Sequence, residues 1–141
     1  MCKQRLNPGG VISQWVPLYE SNMAAVKSEL ATFFEVFPHG SVWGNDQGGT
    51  GYDTVLLGQQ DPLLVDVDAL LTRLNREDHA KVAKSVQEIG LTTIGELLGT
   101  YAASASDLKD WLKDAQINRD RNLRLQYIAG MGSSNYLEAA I

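Results

Sequence analysis

The 141 residues predict an α/β lobe over 1–60 followed by a mainly α-helical extension over 61–141, and three observations carry that expectation. A β-branched and aromatic run, Val11-Ile12-Ser13-Gln14-Trp15-Val16, follows the turn signal Asn7-Pro8-Gly9-Gly10. Beyond Ser21 the apolar period changes from that of a strand to that of a helix. After Asp61-Pro62 the chain breaks into short helical stripes.

Each element has its own reason. The apolar residues of 11–16 do not alternate cleanly, which predicts a strand buried on both faces. Val26, Leu30, Phe33, Phe34 and Phe37 fall on one stripe of a helix; Ser21 or Asn22 caps its start, and Pro38 with Gly40 stops it. Ser41-Val42-Trp43-Gly44 is a short strand candidate. Residues 45–51 (Asn-Asp-Gln-Gly-Gly-Thr-Gly) offer no apolar side chain and read as a mobile surface loop. Tyr52 to Gly58 reads as a second buried strand. Strand, helix, strand, loop, strand is the rhythm of one end of a three-layer α/β sheet.

The extension holds four stripes. Val67, Leu70, Leu71 and Leu74 form the first, with Asp66 or Asp68 near its start. Ala80, Ala83, Val86 and Ile89 form the second, ended by Gly90. Ile94, Leu97, Leu98 and Tyr101 form the third, and Leu108, Trp111, Leu112 and Ala115 the fourth, capped by Ser106 or Asp107. Helices of about three turns need tertiary packing to persist.

Composition limits the partners. With 44% hydrophobic and 21% charged residues the chain is globular, and a chain this long buries roughly two-thirds of its unfolded surface without staples. Twelve basic against seventeen acidic residues give −5, which argues against general phosphate-backbone binding, so nucleic acid is not an expected partner. No apolar run approaches the ~20 residues of a spanning helix, so no membrane is expected in this segment. The residues from Met1 to Asn7 lack a signal peptide's apolar core, which makes a cytoplasmic setting the expectation. A single cysteine, Cys2, excludes an intramolecular disulfide framework and a cysteine-built zinc site.

The motifs that carry chemistry are few. Gly49-Thr50-Gly51 starts like a dinucleotide fingerprint but continues to Thr54, and Gly130-Met131-Gly132 continues to Asn135. His39 and His79 have no ligand partner at helical spacing, and no metal site is expected. Glu77-Asp78 reads as acids at a helix start, favoured by the macrodipole. No nucleophile elbow is present, and no catalytic residue is assigned. Two features stand out. Ser13 and Gln14 are polar inside an apolar strand, and a buried amide needs either an internal partner or a ligand. The stretch from Ile117 to Tyr127 carries three arginines and no lysine, which fits either recognition of carboxylates or an internal ion-pair network.

Read together, the run from Leu6 to Trp15, the Phe33-Phe34-Glu35-Val36-Phe37-Pro38 helix end and the stretch from Gly51 to Gly58 resemble the late part of the spermidine synthase (polyamine aminopropyltransferase) family. The nearer resemblance is to its bacterial spermidine synthase-like proteins, some of which carry a transporter-like membrane region before the synthase domain. Asn118-Arg119-Asp120-Arg121 with Leu125-Gln126-Tyr127 is similar to their Asn-Thr-Asp-Asp … Leu-Glu-Tyr ending. The resemblance covers 1–60, thins over 61–115 and returns over 116–128.

The resemblance implies a methyltransferase-like Rossmann fold, of which this chain would hold the C-terminal portion: about three strands and a helix, then a helical extension. It implies transfer of an aminopropyl group from decarboxylated S-adenosylmethionine, the co-substrate, to putrescine or another amine. The family's glycine loop, ribose-binding acid and catalytic aspartate precede the Asn-Pro-Gly-Gly turn, so this chain would hold no cofactor and would be inactive alone. Gln14 matches a family glutamine that lines the amine site, with Trp15, Asn118 and Asp120 at its rim. Where the family has a Pro-Thr-Tyr-Pro loop, this sequence has Asp46-Gln47-Gly48-Gly49. Loss of a neighbouring strand would leave the 11–16 strand with an open edge, so a homo-oligomer is expected. A non-catalytic protein-interaction module is the alternative.

Overall fold

The computed structural model describes residues 3–19, 21–47 and 50–134. They divide into two units, one of 1–63 with 101–141 and one of 64–100. The division expected at residue 60 therefore changes: the C-terminal stretch belongs with the α/β lobe, and only 64–100 stands apart as a helical unit.

In the first unit, Pro8 and Gly9 form the expected turn, with Gly9 at φ +72 and the Gly10 amide donating to the Asn7 carbonyl at 2.8 Å. Strand β1 (Ile12–Pro17) follows, then helix α1 (Met23–Val36), β2 (Ser41–Gln47) and β3 (Thr50–Gly58). Strand β4 (Tyr101–Ser104) completes a sheet of order β1-β3-β2-β4, in which every neighbouring pair is antiparallel. Since β3 opposes both β1 and β2, those two strands run parallel, joined through α1.

The expected burial of the first strand on both faces does not hold. Side chains along β1 alternate, with Val16 fully buried and Ser13 and Trp15 exposed. β1 is an edge strand, and the face away from α1 is open at Ser13 and Trp15. The same alternation buries Thr54, Leu56 and Gly58 of β3 and leaves Asp53, Val55 and Leu57 half-buried.

The 45–51 loop is also corrected. β2 runs on to Gln47 and β3 begins at Thr50, paired with a register shift at Asn45/Asp46; Gly48 and Gly49 lie outside the described residues. A ladder is held by backbone hydrogen bonds, so a hairpin end needs no apolar side chain.

α1 is capped by Asn22, whose side chain accepts from the Ala25 amide, and its apolar stripe faces the sheet. Val26, Leu30, Phe33, Phe34 and Phe37 close over Val16, Val42 and Leu56. Gly58 makes this approach feasible: a Cβ there would lie 2.7 Å from the Phe37 ring and 2.8 Å from that of Phe33.

Residues 105–114 are turns, not the fourth helix expected, although Ala105, Leu108, Trp111 and Leu112 still pack against the core. From Asp114 the chain is pinned along α1. Lys27 pairs with Asp114 at 2.7 Å, the Ser28 hydroxyl donates to the Gln116 carbonyl at 2.5 Å, and the Asn118 amide donates to Thr32 Oγ1 at 2.8 Å. Arg119 ends the series on Glu35 at 2.8 Å. A final helix, α5 (Arg124–Ser134), takes the place of the alternating pattern at Leu123, Leu125 and Tyr127. (In chain order it follows three helices of the second unit.) Leu123, at φ 45, turns the chain into it, and Ile128 is buried.

The second unit holds α2 (Val67–Leu74), capped by Asp66, then a 3-10 turn at Glu77–His79, α3 (Ala80–Glu88) and α4 (Ile94–Gly99). Gly90, at φ +89, follows α3 as expected. Thr93 and Glu96 form a capping box on α4. Tyr101, assigned by its spacing to the third stripe, instead opens β4. No residue of 64–100 is fully buried; Leu74, Ala83, Val86 and Leu97 surround its small interior.

Candidate functional site

The side-chain parity of β1 decides what its two predicted site residues do. Gln14 lies opposite Leu56, on the face covered by α1, and its Nε2 donates to Glu29 Oε1 at 2.6 Å. Burial raises the Glu29 pKa, while the bond from Gln14 pulls it back down. The half-buried amide thus has an internal partner. Trp15 lies opposite Val55, on the other face.

On that open face Trp15 Nε1 donates to Asp53 Oδ2 at 2.7 Å. Asp53 sits diagonally across from it on β3, within reach of a long side chain. The Trp15 ring lies 6.2 Å from that of Tyr19, which stacks on Tyr52 at 4.5 Å. Three aromatic rings and one carboxylate therefore gather at the carboxyl end of β1, with Trp15 and Tyr52 each about half exposed, at 52% and 51%. Ligands of α/β sheets bind beyond the carboxyl ends of parallel strands. π faces beside a carboxylate attract organic cations.

Sequence pattern alone does not single out Tyr19, Tyr52 and Asp53. The signal that finds them is strand pairing, which places Asp53 two residues from the direct partner of Trp15.

Asn118 and Asp120 lie elsewhere, on the stretch along α1. Asn118 Oδ1 accepts from the Leu125 amide at 3.0 Å, so its side chain anchors the start of α5. Asp120 is exposed in a turn. In the arginine-rich stretch, Arg119 makes an ion pair within the chain, on Glu35. Among the described residues, no three His, Cys, Asp or Glu side chains gather as a metal site, and Cys2 lies outside them. No helix among the described residues is long and apolar enough to cross a membrane.

No family model, curated protein or solved structure matches the chain.

Proposed function

We propose that the α/β unit is the C-terminal part of a spermidine synthase-like aminopropyltransferase domain, supplying the amine-acceptor side of its site. The topology carries this reading: β1, α1 and β2 form a β-α-β crossover with β3 inserted antiparallel between the parallel strands. Such crossovers build doubly wound sheets, many of which include an antiparallel strand. The resemblance over 1–60 covers these same elements. The Trp15, Tyr19, Tyr52 and Asp53 group offers the chemistry that an aliphatic diamine needs, a carboxylate with π faces.

In the complete reaction the acceptor nitrogen attacks the methylene next to the sulfonium of decarboxylated S-adenosylmethionine. The carbon–sulfur bond breaks, methylthioadenosine leaves, and a carboxylate takes the proton from the new ammonium. This chain contributes orientation of the amine; donor binding belongs to a glycine loop that the sequence does not contain.

The test is a hybrid in which the donor-binding half of a spermidine synthase, ending at its own turn, is joined ahead of Leu6. A folded hybrid is expected to bind methylthioadenosine and transfer an aminopropyl group to a diamine, with Asp53→Asn raising KM for the amine at least several-fold. A folded hybrid that binds methylthioadenosine and transfers to no amine refutes the reading. That outcome would favour the alternative, a non-catalytic protein-interaction module that binds through its helical region.

A further inference from the structure

Helix α5 is held to its unit lightly. Of residues 124–131 only Ile128 is buried, while Gln126, Tyr127, Gly130 and Met131 are exposed. Where it meets the start of α1 and the 114–116 stretch, a cleft of about 400 Å3 remains between them, lined by Ile128 and Met131 from the α5 side. Eleven residues are too few for a helix to persist in water by itself, so an α5 that leaves this contact also melts.

Two features at its start oppose the docked state. Leu123, just before α5, holds φ 45, in the left-handed region where a Cβ crowds the following carbonyl. The Nε of Arg124 is buried with no hydrogen-bond partner among the described residues, a donor that regains water once the helix leaves. The junction itself stays anchored, because Asn122 Oδ1 accepts from the Arg124 amide at 3.2 Å and Asn118 Oδ1 from the Leu125 amide at 3.0 Å. Strain beside an anchored junction is what a hinge requires.

One turn further along, Asn22 reaches α5: its Nδ2 donates to the Ile128 carbonyl at 2.9 Å. The Oδ1 of the same amide accepts from the Ala25 amide at 2.9 Å and so caps α1. Asn22 lies on the connection between β1 and α1, which also carries Tyr19, stacked on Tyr52 at 4.5 Å and 6.2 Å from the Trp15 ring. A single side chain therefore joins α5, the start of α1 and the segment that bears Tyr19.

We propose that α5 is a strap hinged at Leu123, and that Asn22 is a positioning residue through which its docking holds Tyr19 in the aromatic group. With α5 docked, both ends of the Asn22 amide are engaged and its rotamer is fixed. With α5 away, Nδ2 loses the Ile128 carbonyl, only the cap remains, and the connection carrying Tyr19 gains freedom. The consequence for an amine rests on the amine-acceptor reading; the strap and its clasp do not.

The experiment is amide hydrogen exchange of the whole chain, isotopically labelled and read by NMR, with no amine present, so that its result is separate from that of the hybrid. The amides of 128–131 are expected to exchange at least ~10-fold faster than those of 30–34 in α1, through a local opening. Leu123→Gly suits the left-handed backbone, and Arg124→Met keeps the apolar stem while removing the unmet donor; each should slow α5 several-fold and leave α1 unchanged. Asn22→Ser keeps a cap for α1 but is too short to reach Ile128. It should speed α5 exchange about fivefold, the worth of one neutral hydrogen bond, leave the Ala25 amide as protected as before, and shift the ring resonances of Tyr19 and Trp15. Exchange in α5 as slow as in α1, no slowing by either hinge variant, equal acceleration of α1 and α5 by Asn22→Ser, or unmoved Tyr19 and Trp15 resonances would each overturn the proposal.

Discussion

The bond between Gln14 and Glu29 makes a prediction in which sign and size both follow from geometry. Gln14→Leu removes the amide that donates at 2.6 Å and leaves Glu29 half-buried with its desolvation unanswered. A hydrogen bond to a charged group contributes ~1.5–3 kcal/mol; partial exposure puts this one near the lower end, and leucine returns some apolar burial. The expected loss is about 1–2 kcal/mol, or roughly 4–8 °C in melting temperature for a unit of this size. Replacing both partners, Gln14→Leu with Glu29→Leu, should recover most of it, giving a coupling of about 1 kcal/mol in a double-mutant cycle. The pH profile adds an independent sign. Glu29 has a folded pKa above its unfolded one, so its favourable share is complete below the unfolded value near ~4.3 and is lost as pH rises through the folded value. Stability of wild type relative to Glu29→Leu should therefore fall with rising pH, and Gln14→Leu should extend that fall to higher pH. All three tryptophans, Trp15, Trp43 and Trp111, belong to the α/β unit, so urea unfolding followed by their emission reports on it. An unchanged Gln14→Leu variant with the same Glu29 titration would refute the internal pairing.

Three other outcomes are expected. Gly58→Ala should destabilise the α/β unit by about 1–3 kcal/mol, because a Cβ would stand 2.7 Å from the Phe37 ring, and thermal unfolding checks it. The 141-residue chain alone should bind neither decarboxylated S-adenosylmethionine nor methylthioadenosine, since it contains no glycine loop to hold either; micromolar affinity by calorimetry would contradict this. The edge of β1 not paired to β3 should template a symmetric dimer, and Ser13→Lys should shift it toward monomer in sedimentation equilibrium; a monomeric wild type refutes the pairing.

Elements with strong period and caps were legible in the sequence. The α1 stripe, its Asn22 cap and its stop at Pro38 all rest on local side-chain chemistry, as does the Asp66 cap of α2. The rest depended on partners distant in sequence. Tyr101–Ser104 is too short to carry a period and becomes a strand only because β2 offers an edge. The stripe of Leu108, Trp111 and Leu112 does pack against the core, yet from turns rather than a helix, since burial follows the apolar pattern without fixing backbone geometry. α5 was hidden by an alternating Leu123, Leu125, Tyr127 pattern whose first member turns out to be a positive-φ junction.

The candidate site shows the same limit at the scale of one residue. Gln14 and Trp15 are adjacent, and in a strand adjacent side chains point to opposite faces. A sequence match that assigns both to one site therefore conflicts with β1 unless a ligand reaches across the strand's end. Pairing with β3 resolves which member faces which surroundings: the amide turns to Glu29 under α1, and the indole turns to Asp53 and the tyrosines on the open face. An amine bound to the open group needs no bond broken within the core. An amine bound through Gln14 must first displace a 2.6 Å bond to a carboxylate whose burial already strains its charge. The two variants thus separate in the hybrid: Asp53→Asn should act on the amine KM, whereas Gln14→Leu should act on stability, and the reverse pattern would return the acceptor to the covered face.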